Sequence, residues 1–460
     1  MTLATLRSSI CIAALVAGAG PAIAQFGGAP ILPNDGFRRE SQAAPTPPET
    51  RPSAPKPRAA QARPVETDIP TYDESTPLRV AGALRVYSEI AARGGWPSVP
   101  KGVKFGPGTN GPEVTILRER LAVTGDLDAR HRDGTAYDDN VVAAVKRFQA
   151  RHGLSETGSV GPLTLEALNV PAETRVRQLS ASMDRLAATS FIFGQRYVVV
   201  NIPAAAVEAV ADGRVERRYV AVVGKPERPS PTLTTHITAV NLNPTWTVPL
   251  SIVKKDIAPK MRQDPTYLAR MRMRLLDGGG NEVDPAGVDW SSGRTPGFAI
   301  RQDAGSWNAL GAVRIDMPNP HSVYMHDTNH KSLFSSDYRF QSSGCARIND
   351  PRDLATWLLQ DSEGWSRREI DAGIATGKRV DVRLARSVPV AWIYLTGWAA
   401  GDGTVQFRKD VYDHDDVPAR PFMVSLPRPV VTAARGSGYT LQSGESRPAR
   451  IEEVSYLDSQ

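Results

Sequence analysis

The feature that most limits the fold of this 460-residue chain is a change of hydrophobic period at Arg196. Before it, apolar residues recur three and four positions apart, the spacing of helices with one buried stripe. After it, short β-branched runs take over: Tyr197-Val-Val-Val-Asn-Ile202, Tyr219-Val-Ala-Val-Val-Gly224, Ile237 to Leu242 and Val380 to Leu384. Two patterns in separate blocks predict an α+β chain whose second half is β-rich.

On the helical side, Leu78, Ala81, Leu84, Tyr87 and Ile90 predict a helix that Gly94-Gly95 ends, within a scaffold over residues 72–104. Val114, Leu117 and Leu121 predict a second helix. Val141, Ala144, Val145 and Phe148 predict a third, stopped at His152-Gly153, and Pro162 to Leu168 a short fourth. These form one unit over 105–172, followed by a scaffold helix over 173–194 that carries Arg175, Gln178, Leu179, Met183 and Leu186. The β-rich domain spans 195–385, with an extension over 386–418. Inside it, about 251–308 is an irregular segment rich in Pro, Gly, Arg and Trp, too long for a plain loop and expected to be a lid or substrate-binding element.

The two ends read differently. Arg7, the apolar run Ile10 to Ala19 and Ala22-Ile23-Ala24 predict a cleavable export signal over 1–24, hence a periplasmic protein, with an uncleaved anchor as the alternative. Residues 25–71, with eight prolines between Pro45 and Pro70, predict a disordered spacer, and 419–460 a polar tail. The net charge of +6 suits an acidic partner such as a carboxylate-bearing polymer. No basic cluster is interleaved with aromatics, which argues against nucleic acid. The two cysteines and seven histidines form no CxxC or HExxH, so neither a metal nor a cofactor is expected. Oligomeric state is not legible.

Signal removal takes Cys11 and leaves Cys345 alone. A lone thiol in an exported chain forms no internal disulfide, so a nucleophile is the leading reading. A thiol with its pKa near ~8.5 needs a base within reach. His321, His326 and His330 precede it, and His326 ends the apolar run Val323-Tyr-Met325, a rigid end-of-strand position. Ser342-Ser-Gly344 permits close backbone approach and can aim amide N–H groups at a developing oxyanion. Asn349 or Asp350 can cap a helix beginning at Pro351. Strand, tight turn, nucleophile and helix make an acyl-transfer centre. Trp246, Trp290 and Trp307 could line a groove, although such aromatics are more often core.

Two stretches also carry family resemblances. Val114 and Leu117 through Leu121 with Gly125, Ala144-Val-Lys-Arg-Phe-Gln-Ala-Arg-His-Gly-Leu154, and Gly158-Ser-Val-Gly161 resemble the three-helix peptidoglycan-binding domain. His326-Asp-Thr, Leu333-Phe334, Arg339 and Ser342-Ser-Gly-Cys-Ala-Arg-Ile-Asn349 resemble the active-site signature of L,D-transpeptidases of the YkuD family. Asn243-Pro-Thr-Trp-Thr-Val-Pro249, Lys255-Asp-Ile257 and Asp402-Gly-Thr-Val405 add a likeness to its YcbB-like subclass. Two positions depart from the family pattern: Ser343 stands where many small members have histidine, and Ala346 where a larger aliphatic is common.

The resemblance implies that Cys345 attacks the carbonyl between residues three and four of a peptidoglycan stem tetrapeptide and carries a thioester. A neighbouring diaminopimelate amine would resolve it into a 3–3 cross-link. His326 is then the base, Gly344 and Cys345 supply the oxyanion hole, and Tyr324, Arg347, Asn349 and Arg339 are candidates for binding the donor. Stem peptides and glycan are the implied partners, with carbapenem acylation of Cys345 as a related reaction. Resolution by water or a lipoprotein amine, or a non-catalytic wall-binding role, remain the alternatives.

Overall fold

The computed structural model describes residues 67–291 and 297–416; the expected signal, most of the spacer and the tail from residue 419 lie outside them. Five helices come first: α1 (Thr76–Ala92), α2 (Pro112–Val123), α3 (Asp139–Arg151), α4 (Pro162–Leu168) and α5 (Ala172–Ala188). Helix α1 buries Val80, Ala83, Tyr87 and Ile90 and leaves Leu78 exposed. The stripe is therefore rotated from the expected one. Two stripes at the same period fit the residues equally well, and packing against α5 selects one of them.

Ordered chain also begins before Tyr72. The N–H and Oγ1 of Thr71 each donate to the buried Glu208 carboxylate at 2.8 Å, and the carbonyl of Asp68 accepts from Val215 N–H. Residues 67–71 of the expected spacer thus belong to the folded body. Their tie is a long-range partner that composition does not reveal.

Helices α2 to α4 close on Val114, Leu117, Leu121, Val141, Ala144, Val145, Phe148 and Leu168, all fully buried. Gln149 fixes the glycine-flanked loop that follows: its Nε2 donates to Thr157 Oγ1, Ser159 O and Thr164 Oγ1, and its Oε1 accepts from Gly158 N–H. Arg151 joins this unit to its surroundings. Its guanidinium makes a buried pair with Asp126 and donates to Tyr87 Oη of α1 and to the Val405 carbonyl.

The β-rich part contains β1 (Arg196–Asn201), β2 (Ala206–Ala211), β3 (Arg214–Gly224), β4 (Leu233–Leu242), β5 (Trp246–Thr247), β6 (Met273–Leu276), β7 (Ala299–Gln302), β8 (Val313–Asp316), β9 (Met325–His326), β10 (Phe340–Ser342), β11 (Ala346–Ile348), β12 (Val380–Ile393), β13 (Gly397–Ala399) and β14 (Val405–Phe407). Nine strands run in the order β10-β3-β11-β9-β8-β4-β12-β1-β2, and β2 also pairs with β3, closing the sheet on itself. Strand β1 is buried on both faces, Val198 and Val200 in one core, Tyr197 and Val199 in another against α1 and α5. Two-sided burial is why its sequence is a continuous apolar run without alternation. Strand β2 was not legible because Ala206-Val-Glu-Ala-Val-Ala211 is alanine-rich; the hairpins to β1 and β3 hold it.

The expected irregular segment is instead a folded layer that starts earlier, at Trp246. Strands β5, β7 and β6 form a three-stranded sheet over a core of Val248, Val253, Ile257, Met261, Leu268, Met273, Leu275 and Ile300. Its strands are two to four residues long, too short for a period to show. Trp290 packs on this core, while Trp307 stays at the surface under the Arg272 guanidinium, 3.9 Å from its ring centroid.

Candidate active site

Register sorts the site from the core. Across β3, β11, β9, β8 and β4, Val222 pairs with Arg347, Arg347 with His326, His326 with Arg314, and Arg314 with Asn241. The next row, Ala346, Met325, Ile315 and Val240, is fully buried and faces the core. Side chains alternate along a strand, so one row builds the interior while its neighbour lines the other face. Cys345 leads directly into β11, two residues before Arg347, and so falls on the His326 side. Tyr324 falls there too, within electrostatic reach of the Trp246 side chain of the inserted layer.

Gly344 makes the turn before Cys345, with φ of 117°, a conformation side chains at Cβ disfavour. Two serines clamp this turn. Ser342 Oγ donates to the Cys345 carbonyl at 2.6 Å and accepts from Gly344 N–H at 3.1 Å. Ser230 Oγ donates to the Gly344 carbonyl at 2.8 Å and accepts from Gly224 N–H at 2.9 Å. Tyr412, from the C-terminal extension, donates to the Gly224 carbonyl and accepts from Ser230 N–H. The Gly344 N–H is thus already engaged. Of the expected oxyanion pair, the structure leaves the Cys345 N–H.

The imidazole of His326 is buried, and its Nδ1 lies 2.5 Å from the Asp327 carbonyl. A carbonyl only accepts, so Nδ1 carries the proton and Nε2 is left as the acceptor. Asp327 is itself locked: its carboxylate accepts from Ala312 N–H at 2.9 Å and Thr328 N–H at 2.7 Å and pairs with Lys331. Gly311, at φ of 60°, lets that carboxylate approach; a Cβ there would come 2.5 Å from the carboxyl carbon.

Burial, then the Arg347 and Arg314 charges, pull His326 down to about 3. Burial pushes the Cys345 thiol up to about 11 against the opposing pull of Tyr324 N–H, Arg347 and Arg314. At neutral pH both groups are therefore neutral. The arrangement suits proton transfer concerted with attack, rather than a preformed thiolate–imidazolium pair.

The other expected residues divide. Arg347 is mostly buried, its Nε has no hydrogen-bond partner, and its charge is felt by both Cys345 and His326. Arg339 is turned elsewhere: it donates to the Ser336 and Ala204 carbonyls and lines a small cleft with Arg408 and Glu208. Asn349 is exposed at the end of β11, where its N–H bonds the Val220 carbonyl. Asp350, not Asn349, caps the helix Pro351–Leu358, accepting from Asp353 N–H. His321 and His330 are exposed. Sequence reasoning missed Ser230, Tyr412, Arg314 and the carboxylate of Asp327. Ser342 lies inside the motif around Cys345, but Ser230 and Tyr412 meet the turn from far along the chain and give no local signal.

The model of the YkuD family, described as L,D-transpeptidase catalytic domain, matches residues 195–382. That stretch is similar to the catalytic domain of the YkuD L,D-transpeptidases. A second model, described as "Putative peptidoglycan binding domain", matches residues 110–168, the helical unit beside the YkuD domain. A curated relative from Haemophilus influenzae, described as "Putative L,D-transpeptidase", is 33% identical over 220 residues, 47% of this chain and 44% of the relative. The chain thus spans less than half the length of that relative. Among solved structures, an L,D-transpeptidase from Mycobacterium smegmatis is 17% identical, with a TM-score of 0.23 over 43% of this chain and 58% of that one. One from Stackebrandtia nassauensis is 14% identical, with a TM-score of 0.26 over 65% and 96%.

Proposed function

We propose that this chain is a periplasmic peptidoglycan L,D-transpeptidase that forms 3–3 cross-links, of the YcbB-like subclass. The observation that carries the reading is the neutral His326 whose Nδ1–H is held by the Asp327 carbonyl, on the sheet face that also bears Cys345. Cys345 Sγ attacks the carbonyl between residues three and four of a stem tetrapeptide, passing its proton to Nε2 of His326. His326 returns that proton to the departing D-Ala amine, and a thioester remains. The side-chain amine of a diaminopimelate on a second stem then displaces the thiol. The Cys345 N–H faces the developing oxyanion, Tyr324 borders the donor, and Arg347 answers its charge. The inserted layer, whose Trp246 side chain comes within electrostatic reach of Tyr324, supports the subclass. By the same chemistry a carbapenem ring would acylate Cys345.

The test is incubation of the purified protein with disaccharide-tetrapeptide, with products weighed by mass spectrometry. Tetrapeptide–tripeptide dimers, each short of one D-Ala, are the expected product. Free tripeptide alone would mean that water resolves the thioester and would sink the cross-linking reading.

A further inference from the structure

Two guanidiniums flank the thiol, and they are not equally satisfied. Arg314 and Arg347 stand on either side of His326 in the same register row. Arg314 donates to Asp316 at 2.8 Å, lies 5.0 Å over the Tyr324 ring, and acts on Asp381, itself paired with Arg379. Arg347 forms no ion pair among the described residues. The Nε atoms of both arginines are buried without a hydrogen-bond partner. A buried cation without an anion is costly, and an arginine fork fits a carboxylate in plane. Asp316 takes one Nη of Arg314 and leaves its Nε without a partner. The row is thus short of negative charge beside the thiol.

We propose that Arg314 and Arg347 together bind a free carboxylate of the donor peptide beside Cys345, and that Arg314 makes this carboxylate a condition for acylation. The inference rests on the transpeptidase reading and adds a specificity determinant to it. A stem tetrapeptide offers two such groups: the C-terminal carboxylate of the leaving D-Ala and the carboxylate at the far centre of diaminopimelate. Their chemistry is shared, so the experiment has to separate them.

Three tetrapeptides serve as donors: unmodified, amidated at the D-Ala terminus, and amidated on diaminopimelate. Acylation is followed on the wild-type chain and on Arg314→Gln. Binding is measured by calorimetry on Cys345→Ala, which reports recognition without turnover. Wild type should lose kcat/KM by about 10- to 100-fold on one of the two amides, which identifies the carboxylate. Calorimetry should show the same preference. Arg314→Gln should be slower on the unmodified peptide and lose most of its discrimination against that amide. Equal binding of all three peptides, or full discrimination retained in Arg314→Gln, overturns the proposal. If wild type transforms no tetrapeptide while Cys345→Ala still prefers the free carboxylate, the reaction reading fails and the carboxylate site stands.

Discussion

The helical unit and the face around Cys345 treat buried polar groups in opposite ways. Within residues 105–172, Gln149, Arg118 and Arg151 are tied to carbonyls, hydroxyls or carboxylates, and no buried side-chain atom there lacks a partner. On the site face, Arg314 Nε, Arg347 Nε and Asn241 Oδ1 are buried without one. Saturation marks a part whose polar residues serve the fold, whereas unmet polar atoms on the face that bears the thiol suit a part completed by a ligand. The price is local stability, and the clamps at Ser342, Ser230 and Asp327 offset it.

The sharpest test of this contrast exchanges the two kinds of residue. His326→Gln should cut acyl transfer about 10²- to 10⁴-fold in a steady-state assay while leaving the fold intact. A variant with full activity would remove the base from the mechanism. Arg151→Met, in the saturated part, strands the buried Asp126 carboxylate and should cost about 3–5 kcal/mol in denaturant unfolding. Alkylation of Cys345 in the surviving folded fraction should not change. A large fall in alkylation rate would show that the two parts are coupled rather than separate.

Titration draws the same line. His326 protonates near pH 3 in the folded chain and near ~6.5 unfolded, so stability declines as pH falls through that interval. Cys345 is raised to about 11, so stability also declines as pH climbs toward that value from the ordinary thiol range. His326→Gln should flatten the acid limb of a melting-temperature profile. Alkylation of Cys345 should keep accelerating toward pH 11, and a plateau by pH 8 would contradict the buried, neutral thiol.

The smallest expected effect concerns the link between the inserted layer and the turn. Arg228 grips the Asp256 carboxylate of that layer and donates to Ser343 Oγ at 3.2 Å. Asp256→Asn should raise KM about 3- to 10-fold with kcat little changed, because the pair is partly exposed and holds a covering element rather than a reacting atom. A matching loss of kcat would place Arg228 nearer the chemistry.

Much of the helical unit was legible because Val114, Leu117, Leu121, Val141 and Phe148 repeat at a period that needs no distant partner. Cys345 and His326 could be singled out as candidates because thiol, glycine and strand-end histidine lie close in sequence. The buried face of α1, the start of order before Tyr72 and the layer from Trp246 were not. Each depends on what packs against it, and Leu78 shows that the right period can still give the wrong face.

Residue type and local spacing by themselves determined an α+β chain, a glycine-preceded thiol and a strand-end histidine as its candidate partner. Only the tertiary structure decided that Ser342 takes the Gly344 amide, that Asp327 aims the imidazole, that Arg339 turns away and that Arg314 stands beside Arg347. Strand register and long-range hydrogen bonds set those outcomes. They join residues as distant as Gly224 and Tyr412, and no window along the chain contains both partners.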